Sequence, residues 1–248
     1  MSNTWKLASA YVKGRGHSAK NIPCQDRTFE LISKHSTGVF YGLSLADGAG
    51  SYKLSDIGAE IVTKEVLTYL KSNFSKLLQT KNTSKRIVKH IEEKLTKEAR
   101  NRGIDIKELS STLLFIGIKN DKFIAGHIGD GVIGVLGKDN KINVLSRPDN
   151  GEYSNSTFFT TTNSYPDRLR IIKGSIVDST GFILMSDGSD ASLYDARTEE
   201  LAPINAQIIN WLNIGSTTEV KSALQSNLNE VIKHKTHDDC SLGILRKC

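Results

Sequence analysis

The sequence predicts an α+β protein, and two observations support this. Runs rich in β-branched and aromatic residues occur throughout the chain, and the helix-like segments come as two separate pairs. Short polar connections at 119–121 and 138–140 are typical of turns between antiparallel neighbours, so the middle of the chain is predicted to form a meander. Helices segregated from antiparallel strands favour a layered α+β fold over a doubly wound parallel sheet.

Each element follows from local pattern. The last predicted helix opens with Ser216 and Glu219 in capping-box spacing and has Val220, Leu224 and Leu228 along one face. No linker rich in Pro, Gly or Ser interrupts the chain, which predicts a single domain over residues 1–248. The predicted strands are 6–12, 27–32, 39–46, 112–118, 122–128, 132–136, 141–145, 168–172, 182–185 and 241–245. The predicted helices are 56–78, 84–102, 203–213 and 217–234.

Composition narrows the class of protein. Of 248 residues, 38% are hydrophobic and 24% are charged, which is enough apolar material for a full core. No apolar run approaches the roughly 20 residues that cross a bilayer, and the first residues do not resemble a secretory signal. The three cysteines are too few for a disulfide framework. We therefore expect a soluble, cytoplasmic protein.

The net charge of +6 raises the question of nucleic-acid binding. Residues 81–102 carry eight Lys or Arg against three Glu, so this one segment accounts for most of the excess. Ile87, Ile91 and Leu95 recur there at helical spacing, Thr83 or Ser84 can cap the start, and Gly103 can end the helix. Because no aromatic residues are interleaved for stacking, the solvated face of a surface helix explains the charge better than a nucleic-acid site.

Carboxylates stand at the ends of several apolar strands. Asp47 and Asp187 each end such a strand and precede a glycine, Asp130 lies in a Gly-Asp-Gly turn, and Asp238-Asp239 leads into the last strand. A single Asp-Gly after a strand is an ordinary turn signal. Four such ends without a matching His or Cys cluster indicate an oxygen-ligand site for a hard cation such as Mg²⁺ or Mn²⁺.

These motifs, in this order, resemble those of the metal-dependent protein phosphatase 2C family over nearly the whole chain. Further motifs resemble its divergent bacterial branch, which is similar to the protein phosphatase C type. The residues that carry the narrower resemblance are Pro23-Cys24-Gln25-Asp26, Ala46-Asp47-Gly48-Ala49-Gly50-Ser51, Ser111-Thr112-Leu113-Leu114 and Gly151-Glu152-Tyr153-Ser154-Asn155-Ser156-Thr157.

The resemblance implies a four-layer α-β-β-α sandwich in which two antiparallel sheets are flanked by helix pairs. It also implies a metal-dependent serine/threonine protein phosphatase that hydrolyses phosphomonoesters with two Mg²⁺ or Mn²⁺ ions and no phosphoenzyme. Phosphorylated proteins would be the substrates and a kinase the functional partner, and we expect a monomer with no membrane attachment.

Site residues follow from the same resemblance. Asp47 would bridge both metals, the Gly48 carbonyl would bind the second, and Asp187 and Asp238 would complete the shell of the first. These three aspartates are the expected catalytic residues. Asp26 matches an acidic residue that supports the site, and Asp130 matches one that contributes to a weaker third metal. Asp239 is expected to be a hydrogen-bonding turn residue.

The chain also departs from the family pattern. Gln25 replaces a Glu, Asn21 replaces a phosphate-binding Arg, and Ala49 replaces the His of many eukaryotic members. A further family Asp falls at Ala191, with Asp190 one position early, which puts the third metal in doubt. We therefore expect a weakened second metal and a phosphate contact from elsewhere.

The candidates for substrate contact are Arg15, His17, Gln25 and Asn155. Lys20 and Arg27 also flank the first motif, and the polar stretch 151–162 resembles a flap beside the phosphatase cleft. His17 is the nearest candidate for a general acid. Two alternatives stay open: a pseudophosphatase that binds phosphoproteins without turnover, suggested by Gln25 and Ala49, and a nucleic-acid or nucleotide phosphodiesterase, suggested only by the basic helix.

Overall fold

A computed structural model describes residues 4–149, 157–162 and 165–248. Two five-stranded antiparallel sheets stack face to face, and helices cover the outer face of each, so the predicted α+β sandwich is confirmed. The strands are β1 (Trp5–Val12), β2 (Arg27–His35), β3 (Gly38–Ala46), β4 (Leu113–Lys119), β5 (Lys122–Ile128), β6 (Val132–Gly137), β7 (Ile142–Ser146), β8 (Arg170–Ser175), β9 (Ser179–Met185), β10 (Tyr194–Asp195), β11 (Glu200–Leu201) and β12 (Cys240–Lys247). The α-helices are α1 (Arg15–Ala19), α2 (Ser55–Gln79), α3 (Thr83–Arg102), α4 (Tyr165–Arg168), α5 (Asp187–Leu193), α6 (Ile204–Ile214) and α7 (Thr217–Glu230).

The first sheet has the order β1-β12-β9-β6-β7, and the second has the order β2-β3-β4-β5-β8. The first and last strands of the chain are paired, with Trp5 opposite Lys247 and Val12 opposite Cys240. This pairing fixes the residues just before β12 beside the residues just after β1.

Alternation along β3 shows how the strands join two apolar layers. Tyr41, Leu43 and Leu45 point between the sheets, where they meet residues of the first sheet such as Phe182 and Leu184. Phe40 and Ala46 face the other way and pack under α2 and α3. Because successive side chains of a strand point to opposite faces, one strand can serve both layers.

The helix pairs lie where the sequence predicts them, except that the last helix ends at Glu230 instead of 234, because Val231 leaves the helical conformation and a separate 3₁₀ turn follows at Ile232–His234. α2 and α3 cover the second sheet, and α6 and α7 cover the first. The predicted capping box of α7 is present, since the Ser216 hydroxyl accepts from the Glu219 amide and the Glu219 carboxylate accepts from the Ser216 amide. α3 ends at Gly103 in the left-handed conformation as predicted, but its N-cap is Asn82 instead of Thr83 or Ser84. Among the described residues, no helix is both long and apolar enough to cross a membrane.

Three expectations about the elements were wrong. The middle of the chain does not form one meander, because β4-β5 belongs to the second sheet and β6-β7 to the first, with the change at residues 129–131. The strand expected from 168 begins at Arg170, since α4 occupies Arg168. Two short helices, α1 and α5, have too few residues to show an apolar periodicity and were missed.

The basic helix α3 has the amphipathic arrangement expected of a surface element. Ile87, Ile91 and Leu95 are buried against α2 and the second sheet. Several of its charged groups are paired, including Lys94 with Glu65 at 3.1 Å and Arg102 with Glu98 at 2.6 Å.

Candidate metal centre

Three predicted metal residues meet at one end of the sandwich. Asp47 directly follows β3, Asp130 lies in the crossing from β5 to β6, and Asp187 begins α5 directly after Ser186, which follows β9. Each offers a carboxylate oxygen, and these oxygens all lie within 4.8 Å of one another. Residues 140 positions apart in sequence thereby form a single acidic cluster, which we call the carboxylate cluster (Asp47, Asp130, Asp187).

Backbone hydrogen bonds hold Asp47 in place. Its amide donates to the Thr112 hydroxyl at 2.9 Å, and the Thr112 amide donates to the Asp47 carbonyl at 2.8 Å. Gly48 is buried and forms a bridge with Ser111. The expected motif around residues 111–112 therefore fixes the backbone from which the Asp47 side chain extends.

The loop at 238–239 is clamped between two glycines. A Cβ on Gly14 would lie 2.2 Å from the Asp238 carbonyl oxygen, and a Cβ on Gly188 would lie 1.9 Å from the Asp239 carbonyl oxygen. Atoms cannot approach this closely, so both positions need glycine. This packing brings the loop before β12 against the start of α5 and therefore against Asp187.

The carboxylate cluster is electrostatically unfavourable by itself. Burial, with the charges of neighbouring carboxylates, raises the pKa of Asp47 well above its usual range, and the same causes raise the pKa of Asp187. Asp238 is one of those neighbours for both residues. Within the described ranges, no Lys, Arg or His forms an ion pair with Asp47, Asp130 or Asp187. The cluster therefore lacks a protein cation to compensate it.

Asp26 lies behind the cluster and is fully buried. Both of its carboxylate oxygens are buried, and within the described ranges neither has a hydrogen-bond partner. Burial, to which the nearby Asp239 charge adds, raises the pKa of Asp26 to about 7, although the neighbouring Ser241 and Ser186 hydroxyls act in the opposite direction. Ionising a carboxylate at this depth is costly, and a cation at the cluster would relieve that cost.

The structure separates the adjacent residues Asp238 and Asp239. Asp238 is exposed and is not one of the three mutually close carboxylates, although its charge affects Asp47 and Asp187. Asp239 is 1% exposed and accepts hydrogen bonds from the Gly14 amide at 2.7 Å, the Gln25 amide at 2.5 Å and the His17 ring at 2.8 Å. Asp239 is thus a bonded anchor for the residues around Gln25.

The candidate substrate residues lie on one flank of the cluster. His17 and Gln25 are both in contact with Asp239, and Gln25 accepts from the Gly48 amide at 3.2 Å through its carbonyl. The exposed Arg15 donates from Nε to the Thr236 carbonyl at 3.1 Å. Asn155 lies outside the described residues. Arg27 is paired with Asp56 at 2.9 Å, which occupies its guanidinium.

The end of the predicted flap contacts the cluster. The Thr157 hydroxyl donates to Asp130 at 2.5 Å, and the Thr160 amide donates to the Ser111 carbonyl at 2.9 Å. The part of this stretch that the structure describes is therefore attached beside Asp47 and Asp130.

Sequence reasoning undervalued Asp190. Its pKa is raised to about 7 by burial and by the charge of Asp130, so the two carboxylates influence each other. Asp187 and Asp190 are three residues apart in α5, and such residues share a helix face. That spacing was a usable signal, but it has meaning only once residues 187–193 are known to be helical.

His127 is a second residue without a sequence signal. It is fully buried, and its ring nitrogens contact the Ser146 hydroxyl at 2.9 Å and the Gly129 carbonyl at 3.0 Å. Burial, with the nearby Arg170 charge, lowers its pKa to about 3, so the ring is neutral. It fixes the turn that carries Asp130.

The donor set fits a hard divalent cation. Oxygen ligands from carboxylates are what Mg²⁺ and Mn²⁺ prefer, and Asp47, Asp130 and Asp187 offer three such oxygens within 4.8 Å of one another. Asp47, Asp130 and Asp187 are the residues that would hold it.

The family model for Protein phosphatase 2C matches residues 13–229. The chain belongs to the protein phosphatase 2C family. No curated protein matches its sequence significantly.

Solved structures share the fold at low sequence identity. The catalytic domain of the serine/threonine protein phosphatase PstP, in complex with two manganese ions, is 14% identical with a TM-score of 0.66, and 99% of each chain is covered. Stp1, a serine/threonine phosphatase from Staphylococcus aureus, is 12% identical with a TM-score of 0.64, covering 99% of this chain and 96% of Stp1. RsbX, in complex with magnesium, is 12% identical with a TM-score of 0.60, covering 100% of this chain and 98% of RsbX.

Proposed function

We propose that this protein is a Mn²⁺- or Mg²⁺-dependent phosphatase that hydrolyses phosphoserine or phosphothreonine in proteins. One observation carries the proposal: three carboxylates without a protein cation meet at the end of a protein phosphatase 2C fold. Relatives of the same fold were solved with manganese or magnesium. A kinase that forms the phosphoester would be the functional partner.

The residues divide the task between them. When bound, two divalent cations in such a site supply an activated water and neutralise charge on the phosphoryl group. Asp47, Asp130 and Asp187 hold their oxygens within 4.8 Å, so the chain positions these charges before any ligand arrives. Asp238 adds negative charge from the exposed side, where its carboxylate could bind a metal ion or a metal-bound water. The charge of the buried Asp26 acts on Asp47 from the opposite side.

Binding without turnover is the alternative function. It is favoured by Gln25, which supplies no negative charge where many family members have Glu, and whose Nε2 is bonded to the Tyr52 carbonyl at 3.0 Å. A domain of this kind would bind phosphoproteins and release them unchanged.

The test uses p-nitrophenyl phosphate and a phosphothreonine peptide, each with Mn²⁺ and with excess EDTA. We expect both to be hydrolysed with Mn²⁺ and neither with EDTA. Asp47→Asn should be inactive, whereas Asp178→Asn, a change at a carboxylate that is 93% exposed and remote from the cluster, should match the wild type. Peptide binding without release of phosphate, in the presence of Mn²⁺, would favour the binding module.

A further inference from the structure

His17 and Asp239 form a fixed pair beside the carboxylate cluster. His17 Nδ1 lies 2.8 Å from Asp239 Oδ2, and the Asp239 side chain is held by two backbone amides. Since an ionised carboxylate only accepts hydrogen bonds, Nδ1 is the donor in this contact, and Nε2 is the ring nitrogen left to act on another group. In enzymes that use a histidine for proton transfer, a buried aspartate bonded to Nδ1 fixes the orientation of the imidazole ring in the same way.

The free nitrogen faces an open, polar space. Nε2 has no hydrogen-bond partner in the part of the chain that the structure describes, and the His17 side chain is 14% exposed. A Cβ on Gly50 would lie 4.0 Å from His17 Nε2 and 3.9 Å from Gln25 Oε1. Gln25 Oε1 is itself buried and has no hydrogen-bond partner among the described residues. Two unused polar atoms therefore border the same space beside the exposed Gly50.

This space adjoins the proposed reaction site. Gly50 is three residues after Asp47, and the Gly48 amide donates to the Gln25 carbonyl at 3.2 Å. The Asp239 charge raises the pKa of Asp26, and the Asp26 charge raises the pKa of Asp47, so the three carboxylates lie close to one another, in this order, from the flank to the cluster. The segment from Asp47 to Gly50 therefore joins the carboxylate cluster to the space that His17 Nε2 and Gln25 Oε1 border.

We propose that His17 donates a proton from Nε2 to the leaving serine or threonine oxygen, with Asp239 as its positioning residue. This deepens the proposed function and rests on it. Water adds to phosphorus, the bond from phosphorus to the ester oxygen breaks, and its electron pair stays on that oxygen. The oxygen takes the Nε2 proton and leaves as an alcohol, and the proton released by the water replaces the one that His17 lost.

Charge favours proton transfer over phosphate binding as the role of this pair. A protonated His17 next to the Asp239 carboxylate has almost no net charge, so the pair attracts a phosphate dianion weakly. It can still lose one proton at Nε2. Among the residues that border Gln25 and Asp239, Ala49 has no proton to donate, and burial raises the pKa of the Cys24 thiol and, to about 12, that of the Cys240 thiol.

The experiment compares leaving groups. A threonine alkoxide needs a proton to leave, phenolate needs one less, and p-nitrophenolate leaves unaided. With Mn²⁺, His17→Asn should lose about 100-fold or more in kcat on a phosphothreonine peptide, since general acid catalysis contributes about 10²–10⁴-fold. The loss on phenyl phosphate should be intermediate, and that on p-nitrophenyl phosphate should be below about threefold. Imidazole added to His17→Ala should restore part of the peptide rate.

Controls separate this role from others. His35→Asn makes the same change at an exposed histidine on β2, remote from Asp239, and should leave all three rates unchanged. The rise in Tm on adding Mn²⁺ should be the same for His17→Asn and the wild type, because His17 holds no metal. An equal loss on all three esters, or no loss on any, would overturn the proton-donor role while the phosphatase stands. A wild type that hydrolyses none of them would instead refute the proposed function itself.

Discussion

Two buried carboxylates close to each other, Asp239 and Asp26, are treated in opposite ways by the fold. Asp239 accepts three hydrogen bonds from the chain, whereas neither oxygen of Asp26 lies within hydrogen-bond geometry of a donor among the residues that the structure describes. Hydrogen bonds from the protein therefore stabilise the Asp239 carboxylate. Asp26 lies beside the carboxylate cluster, whose negative charge we expect a bound cation to neutralise. The comparison indicates that a buried acidic residue is a candidate ligand site when few protein donors stabilise its charge.

Removing either Asp47, from the carboxylate cluster, or Asp238, whose charge acts on that cluster, should have the largest effect. Asp47→Asn and Asp238→Asn should abolish hydrolysis and most of the rise in Tm that Mn²⁺ causes, because a ligand that binds only the folded state stabilises it by mass action. Without metal, neither variant should melt below the wild type, since one repelling charge is gone. Phosphate release and thermal unfolding measure both effects. Wild-type rates in these variants would contradict the two-metal interpretation.

Removing the Asp239 carboxylate should instead lower the stability of the metal-free protein. Asp239→Ala leaves two buried amides without an acceptor, and we expect the free energy of unfolding to fall by about 3 kcal/mol even without metal. For a chain of this length that corresponds to roughly 8 °C in Tm. Chemical denaturation of the metal-free protein gives the measurement, and Asp178→Ala is the matched exposed control. An unchanged unfolding free energy would mean that Asp239 is not an anchor.

Gln25 lies between Asp239 and the segment that carries Asp47, and replacing it with an acidic residue tests which of the two it serves. Gln25→Glu should lower the Mn²⁺ concentration for half-maximal rate about tenfold, since it adds an anionic group near a divalent cation. The metal-free variant should be less stable, because the bond to the Tyr52 carbonyl is lost and a further buried charge is added. An unchanged Mn²⁺ titration would show that Gln25 does not face the metals.

The choice of cation should give a smaller difference. Mn²⁺ should support a rate several-fold above that with Mg²⁺, because Mg²⁺ demands near-ideal octahedral geometry and the Gln25 position weakens the second site. Metal titrations of the hydrolysis rate, started from protein stripped with EDTA, provide the comparison. Full hydrolysis in excess EDTA would exclude metal dependence altogether.

The smallest effect is on pH-dependent stability. In the folded, metal-free protein Asp26 keeps its proton up to about pH 7, whereas in the unfolded chain an aspartate loses it near pH 4. The folded state binds more protons between these values, so stability falls as pH rises from about 4 to about 7. We expect Tm to decrease by about 5 °C across this window, and saturating Mn²⁺ to cancel the decrease at its upper end. A metal-free Tm that rises across the window would contradict the raised pKa.

Much of the architecture followed from pattern alone. The sequence signal is strong wherever an element buries a full apolar face. This holds for the strands β3, β4, β5 and β9 and for the helices α2, α3, α6 and α7. The short helix α5 could not be predicted, since seven residues with Asp and Ser show no periodicity. Nor could the crossing at 129–131, because a turn residue does not indicate which sheet receives the next strand.

For the candidate site, the residue pattern was enough to identify the carboxylates at strand ends and to predict that a hard cation suits them. It could not show which of them meet, because Asp47, Asp130 and Asp187 are brought together by strand order and by the stacking of two sheets. The fold also determines the different roles of Asp238 and Asp239. Neighbours in sequence have the same composition around them, but one side chain is exposed and the other is enclosed by Gly14, His17 and Gln25. Burial and hydrogen-bond partners depend on contacts between distant segments, and those contacts exist only in the folded chain.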